Sequence, residues 1–170
     1  MRLGSEFFSR DALDVAPELL GKALVRSYPD SSERRLLITE TEVYRGEEDT
    51  ACHAHRGRTK RTEMLYRPGG AVYVYLCYGI HWPLNVITGP EAFPQGVLIR
   101  ACLGFEGPGK LTKRLDITGE FNGADIASSS LLRIEDEGRK VYITTDKRVG
   151  IAYADEADRD RLWRFKARFD

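Results

Sequence analysis

Ala71-Val72-Tyr73-Val74-Tyr75-Leu76-Cys77-Tyr78-Gly79-Ile80-His81-Trp82-Pro83-Leu84-Asn85-Val86-Ile87 is the stretch that sets the fold class. Residues 71–78 are rich in β-branched and aromatic side chains, as strands are. Side chains on a strand alternate between its faces. Tyr73, Tyr75 and Cys77 therefore share one side, and Val72, Val74, Leu76 and Tyr78 the other. Tyr78-Gly79-Ile80-His81 reads as a hairpin turn and residues 84–87 as the returning strand. Working outward, residues 23–26, 36–44 and 96–103 read as strands, and residues 131–134, 141–144 and 163–165 as later ones. Helices are few and short. Residues 16–21 read as one, with Pro17 at its first position and Gly21 as its stop, and residues 108 to about 115 as another. Residues 27–34 form a polar turn, and residues 46–61 a long polar loop of the kind that is functional or disordered. Strands in hairpin order with few helices predict an α+β fold. The expectation is a single domain over residues 1–170, with a curved, mostly antiparallel β-sheet, a protruding β-hairpin and short flanking helices.

The composition sets limits on function. At 42% hydrophobic and 31% charged, the chain of 170 residues has enough apolar content for a core. No run approaches the roughly 20 apolar residues that span a bilayer, so no membrane partner is expected. Met1-Arg2-Leu3-Gly4-Ser5-Glu6 lacks the apolar run of a secretory signal. Cys52, Cys77 and Cys102 are odd in number and widely spaced, which predicts free thiols in a reducing, cytoplasmic compartment. Basic and acidic residues balance at 26 each, so attraction to nucleic acid would have to come from a local patch. Arg56, Arg58, Lys60, Arg61 and Arg67, against Glu63 alone, form one candidate; a solvated basic loop is the alternative.

Several residues invite chemistry. On the strand at 36–44, Leu36, Ile38, Glu40, Glu42 and Tyr44 fall on one face, and Leu37, Thr39, Thr41 and Val43 on the other. Carboxylates two apart on a strand lie roughly 6.5–7 Å apart, overlapping the separation of about 6.5–9.5 Å in inverting glycosidases. Glu40 and Glu42 thus read either as an acid/base pair for a glycosidic bond or as decoration of an exposed face. Tyr44, His53, Tyr73 and Tyr75 read as the walls of a slot for a flat ligand or as core tyrosines. Tyr78, at the hairpin tip, is either a wedge between base pairs or packing for a neighbouring loop. Arg100 lies in an apolar strand and needs an anionic or carbonyl partner. Glu42 is a candidate for that partner, in a catalytic or a purely structural pair. Cys52-His53-Ala54-His55 lacks the ligand spacing of a zinc site, and no phosphate-binding loop or nucleophile elbow is present. No metal or cofactor is expected.

The series Thr39-Glu40-Thr41-Glu42-Val43-Tyr44, Asp49-Thr50-Ala51-Cys52-His53, Tyr73-Val74-Tyr75-Leu76-Cys77-Tyr78-Gly79, Asn85-Val86, Val97-Leu98-Ile99-Arg100-Ala101, Gly107-Pro108-Gly109-Lys110-Leu111 and Arg148-Val149-Gly150-Ile151 resembles the alkyladenine (3-methyladenine) DNA glycosylase family. The resemblance runs from about Leu20 onward, with Val43 where the family often has alanine. It implies a monomeric DNA repair enzyme that flips a damaged purine out of double-stranded DNA and hydrolyses its bond to the sugar, with no strand cleavage, metal or cofactor. Glu42 then corresponds to the glutamate that activates water, and Arg100 to the arginine that helps hold it. Tyr44, His53 and Tyr75 correspond to the walls around the flipped base, and Tyr73 shapes the pocket. Asn85 obstructs the 2-amino group of guanine, and Tyr78 enters the minor groove. Arg56, Arg58, Lys60, Arg61 and Lys110 are expected at the DNA backbone. Glu40 becomes structural, paired with Arg26, Arg100 or a basic loop residue. The resemblance thereby displaces the carbohydrate hydrolase using both glutamates; a module that binds flipped bases without cutting them is the alternative, against which Glu42 and Arg100 favour the enzyme.

Overall fold

The computed structural model describes residues 1–169. Two short helices open the chain, α1 (Ser5–Phe8) and α2 (Ala12–Glu18). Strands β1 (Ala23–Ser27), β2 (Glu33–Arg45), β3 (Val72–Val74), β4 (Leu84–Ile87), β5 (Gln95–Cys102) and β6 (Phe105–Glu106) follow. After α3 (Pro108–Arg114) come β7 (Leu132–Glu135), β8 (Tyr142–Asp146), α4 (Glu156–Arg159) and β9 (Arg164–Arg168). Every strand pairing is antiparallel. The main path of the curled sheet runs β3-β4-β5-β2-β1-β7, and β9 joins β2 while carrying β8. This is the α+β architecture expected from the hairpin pattern.

Strand β2 organises the rest, because one half pairs with β1 and the other lies between β5 and β9. Its side chains do not alternate regularly. Ile38 and Val43 are five apart, and on β5 Ile99 and Cys102 are three apart, yet all four are fully buried in one core. An odd separation puts two residues on opposite faces of a regular strand. The pairing explains how they share one. Ile38 faces Cys102 and Glu40 faces Ala101, which leaves Thr39 without a partner; Thr41 then faces Ile99, which leaves Arg100 without one. These bulges turn the strand over. Leu36 and Ile38 face the main core, whereas Glu40, Glu42 and Tyr44 face the other side, so the single face expected for all five does not form.

Helix α2 covers the main core with Ala12, Val15, Ala16 and Leu19. It begins at Ala12, four residues before the predicted start of residues 16–21, because the Asp11 side chain caps it by accepting the Leu13 N–H at 3.0 Å. Pro17 lies inside the helix rather than at its first position. Strand β3 is shorter than predicted because, at Val74, the backbone N–H turns to the Asn122 side chain at 3.1 Å. The chain pairs again only at Cys77 and His81, closing the hairpin. On the opposite side of the sheet, Cys52, Ala54, Leu65, Tyr66 and Tyr73 make a second, smaller core. Among the described residues, no helix is long and apolar enough to cross a membrane.

Gly69 ties the N-terminal helices to the sheet. Its N–H donates to Gly89 O at 3.0 Å, and the Gly89 N–H donates to Phe8 O at 2.9 Å. A Cβ on Gly69 would lie 2.0 Å from Phe8 O, a collision with backbone that no rotamer relieves. Overpacking costs about 1–3 kcal/mol, or about 2–10 °C of Tm in a chain of this size. Gly69→Ala is therefore expected to lower the melting temperature by that amount in a circular dichroism melt; an unchanged Tm would contradict this packing.

Candidate active site

On the side of the sheet away from α2, a cavity of about 510 Å3 collects residues from five segments. Tyr44 comes from β2, Tyr73 from β3 with Tyr75 just beyond it, Asn85 from β4, Arg100 from β5 and His53 from a short turn of helix at His53–Arg56. A volume of a few hundred Å3 suits a small ring system.

Glu42 lies behind this wall rather than on it, and it is fully buried. Its Oε1 accepts the Val149 N–H at 2.8 Å and its Oε2 accepts the Tyr44 hydroxyl at 2.8 Å. Burial raises its pKa above the usual carboxylate range, against the opposing effects of the Val149 N–H, Arg100, Tyr44 and Arg164. Two bonds leave room on a carboxylate for further donors. A buried carboxylate of raised pKa, flanked by donors, has the properties of a general base. Burial and the neighbouring Glu42 push the Tyr44 phenol well up, so it remains a donor.

Arg100 Nε stands 3.6 Å from Glu42 Oε1 and 3.7 Å from Glu40 Oε1. Both distances are ion pairs but too long for hydrogen bonds. Glu40 finds its close partner in Arg164 of β9, at 2.6 Å. Arg26, one of the partners expected for Glu40, instead lies over the rings of Tyr28 and Phe121.

The aromatic residues divide into two groups. His53 and Tyr75 have ring centroids 4.7 Å apart, and Tyr73 and Tyr75 5.1 Å apart. Rings this close are in direct contact, so these three form one wall. Tyr44 stands apart from them, beneath the Arg148 guanidinium at 5.0 Å. His53 Nδ1 is bonded to the Tyr73 hydroxyl at 3.0 Å. Burial, with help from Arg61, lowers the His53 pKa and favours the neutral ring. Asn85, buried in the wall, donates to Tyr73 O at 3.3 Å.

Tyr78 marks the mouth and is 86% exposed. It and Gly79 have φ of 52° and 68°, the left-handed pair of a tight hairpin turn. For a non-glycine residue that conformation costs about 1–2 kcal/mol, and strain of this kind persists where it serves a purpose. Tyr153 stands at the same mouth, 67% exposed, with its hydroxyl donating to Ala51 O at 2.8 Å.

A buried ion pair holds the loops in place. Arg148 donates to both oxygens of Asp49, at 2.6 and 2.9 Å, and to the Val43 and Asp158 carbonyls at 2.9 and 3.2 Å. Asp158 in turn accepts the Thr50 N–H and hydroxyl at 3.0 and 2.5 Å. Burial opposes its charge, but Thr50 and Arg161 together bring its pKa down to about 2. Residues 46–61, expected as an irregular loop, are thus stapled to the C-terminal part of the chain. Sequence reading missed Arg148, Asp49, Asp158, Tyr153 and Arg164 as parts of the site, since each finds its role only through contacts distant in the chain.

Of the predicted basic residues, Arg61 reaches the cavity, and it also lines a neighbouring one of about 390 Å3 with Arg58, Lys60 and Arg67. Arg58 is paired with Glu63 at 3.3 Å. Arg56 and Lys110 are exposed and line neither cavity. Among the described residues, no three His, Cys, Asp or Glu side chains are placed to hold a metal ion. His53 faces Tyr73, whereas His55 turns to Glu47 O at 2.7 Å.

The family model of methylpurine-DNA glycosylase (MPG) matches residues 6–106 and 103–169 of this chain. A relative from Desulfitobacterium hafniense (strain Y51) is 42% identical, covering 96% of this chain and 94% of its own. One from Rickettsia felis is 41% identical, covering 96% and 91%, and one from Natranaerobius thermophilus is 40% identical, covering 99% and 96%. Each bears the name "Putative 3-methyladenine DNA glycosylase".

The raised pKa of Glu42 has a consequence for stability. A group whose folded pKa lies above its unfolded value stabilises the fold fully below the unfolded pKa, and that contribution is lost as pH rises through the folded value. Glu42→Gln removes this pH dependence. Its stability relative to wild type is expected to increase as pH rises from 4 to 8, read by urea unfolding at each pH. A difference that stays flat or shrinks would show that Glu42 is not held against its charge.

Proposed function

The chain belongs to the methylpurine-DNA glycosylase family, and we propose that it flips an alkylated or deaminated purine out of duplex DNA and hydrolyses its N-glycosidic bond. The observation that carries this reading is the buried Glu42, with raised pKa, directly behind an aromatic-walled cavity. In the proposed reaction a water held by Glu42 and Arg100 attacks C1′ of the sugar. The C1′–N bond breaks, its electron pair leaves with the base, Glu42 takes the proton of the water, and an abasic site remains.

The cavity suits this task. Between Tyr44 and the wall of His53, Tyr73 and Tyr75, a flat base has aromatic faces to stack on. The neutral state favoured for His53 spares a positively charged alkylated base from repulsion, and electron-rich rings attract it. A neutral lesion such as hypoxanthine lacks this attraction and needs protonation to leave. Asn85, buried in the wall, is assigned the exclusion of a 2-amino group. Exposed Tyr78 fills the gap left by the flipped base, which costs a few kcal/mol to extrude and least when it is damaged. Arg56, Arg58, Lys60, Arg61 and Lys110 are assigned to the phosphates. The protein acts on double-stranded DNA as a single domain and a monomer, without a cofactor. Against a hydrolase using both glutamates, Glu40 is engaged by Arg164 at 2.6 Å.

The test uses two labelled duplexes, one with hypoxanthine and one with a methylated purine, incubated with a metal chelator present and cleaved by alkali at abasic sites. Wild type is expected to release base from at least one, and Glu42→Gln to do so about 10²–10⁴-fold more slowly, the usual contribution of a general base. Duplex binding with no release would instead favour a damage-binding module. Tyr78→Ala is expected to slow excision from duplex more than from single-stranded substrate; equal losses would remove its wedge role.

A further inference from the structure

We propose that Glu40 and Arg164 are positioning residues for this reaction, which keep Arg100 shared between two carboxylates so that it does not close on Glu42. The inference rests on the reading of Glu42 as the base.

The bulges at the β2–β5 junction leave Arg100 without a ladder partner, beside both Glu40 and Glu42. A guanidinium with a free carboxylate nearby normally closes to a bidentate pair at 2.7–2.9 Å or so. Arg100, only 20% exposed, closes on neither: its Nε is 3.7 Å from Glu40 Oε1 and 3.6 Å from Glu42 Oε1. The reason lies across the sheet. Glu40 Oε1 already accepts Arg164 Nη1 at 2.6 Å. Arg164 is itself pinned, with Nη2 on Asp146 Oδ2 at 2.8 Å and Nε donating to Lys147 O at 2.6 Å. Asp146 is held in addition by Lys166 at 3.0 Å. All three nitrogens of Arg164 are therefore engaged, and its attraction keeps Glu40 from capturing Arg100. Glu40 in turn holds Arg100 off Glu42. The Arg100 side chain makes no hydrogen bond to the protein among the described residues, and it lines the cavity, so its donors remain available to a ligand there.

The groups facing Glu42 are Tyr44 and Glu40 from its own strand, Arg100 from β5, Arg164 from β9, and Arg148 with Val149 from the loop after β8. Arg148 is committed to Asp49. The balance around Glu42 thus depends on Glu40, Arg100 and Arg164. Neutralising Glu40 leaves Glu42 as the remaining carboxylate for Arg100, which then closes on it and makes it a weaker base. Neutralising Arg164 frees Glu40 to take Arg100, and Glu42 loses its counter-charge.

The two changes move the ionisation of Glu42 in opposite directions, and the acid limb of the pH–rate profile reads it. The experiment measures single-turnover excision from pH 4 to 9, with duplex binding and Tm in parallel. Glu40→Gln is expected to shift the acid limb down, and Arg164→Gln up. Each shift should be about 0.4–0.9 pH units, the effect of one charge about 7 Å away at an effective dielectric of about 40–80. The double variant should follow Glu40→Gln, because Arg100 then has Glu42 as its remaining carboxylate whether or not Arg164 is charged. Glu40→Gln should also slow excision at neutral pH by about 10- to 100-fold, as misplaced catalytic groups do, with duplex binding unchanged. Acid limbs that stay in place, or move the same way, overturn the proposal. If Arg164→Gln does not fold, Glu40→Gln decides alone, because loss of a structural ion pair would lower Tm without moving the limb. Glu42→Gln is the control. If it stays active, the reading of Glu42 as base fails; if it is inactive while the limbs stand still, only the present inference fails.

Discussion

The buried pair of Arg148 and Asp49 is the constraint on which the site depends. Removing two charges from water is expensive, and the cost is offset only where geometry and further hydrogen bonds are good. Here they are. Asp49 accepts two bonds from Arg148 and one each from the Arg45 and Ala51 N–H groups, so its acceptor positions are filled. Arg148 also donates to two backbone carbonyls and lies against the rings of Tyr44 and Trp163. Each contact fixes a part of the cavity's surroundings. The residue after Arg148 donates its N–H to Glu42, Tyr44 is one wall of the cavity, and the segment that follows Asp49 carries His53. A single ion pair therefore sets Glu42 and both walls of the cavity relative to one another.

A second constraint follows from the sheet. The main core requires Ile38, Val43, Ile99 and Cys102 on one side. The site requires Glu40, Glu42 and Arg100 on the other. Regular strands cannot satisfy both, and bulges are how sheets re-aim side chains beside active sites. The result places a carboxylate in a fully buried position, where its charge is disfavoured. Such local conflict is the usual mark of function, since a sequence selected for stability alone would have an apolar residue there.

How much of this was legible in the sequence depended on whether the signal was local. Alternation correctly separated Val72 and Val74, in the main core, from Tyr73 and Tyr75 around the cavity. The hairpin at Tyr78 and the strand at Leu84–Ile87 were equally plain, because glycine and β-branched residues mark them. Alternation failed at Thr39, because a bulge is decided by what the partner strand needs, and a period of two carries no trace of it. The proline signal misled at Pro17, where the capping residue Asp11 set the helix start instead. Arg148 and Asp49 are 99 residues apart, and Arg164 and Glu40 124 apart. Neither pair has a local pattern. The segments around Asp49 and Arg148 contributed to the family resemblance, yet only folding shows that they bind each other.

The balanced charge of the chain has the same explanation. A net charge of zero argues against nucleic acid only if the charges are evenly spread. They are not. Asp11, Glu33, Asp49, Glu135 and Asp146 are all engaged in ion pairs with Arg45, Arg133, Arg148, Arg35 and Arg164, respectively or in networks, within the frame of the fold. Around the cavity the balance differs. Arg58 is paired with Glu63, but Arg56, Lys60, Arg61 and Arg67 have no carboxylate partner among the described residues. Many of the acids thus neutralise the scaffold, while Arg61 at the cavity and Lys60 and Arg67 at the neighbouring one remain available. Because phosphate attraction acts over about a Debye length, roughly 8 Å in physiological salt, the local excess matters to an approaching duplex and the sum over the molecule does not.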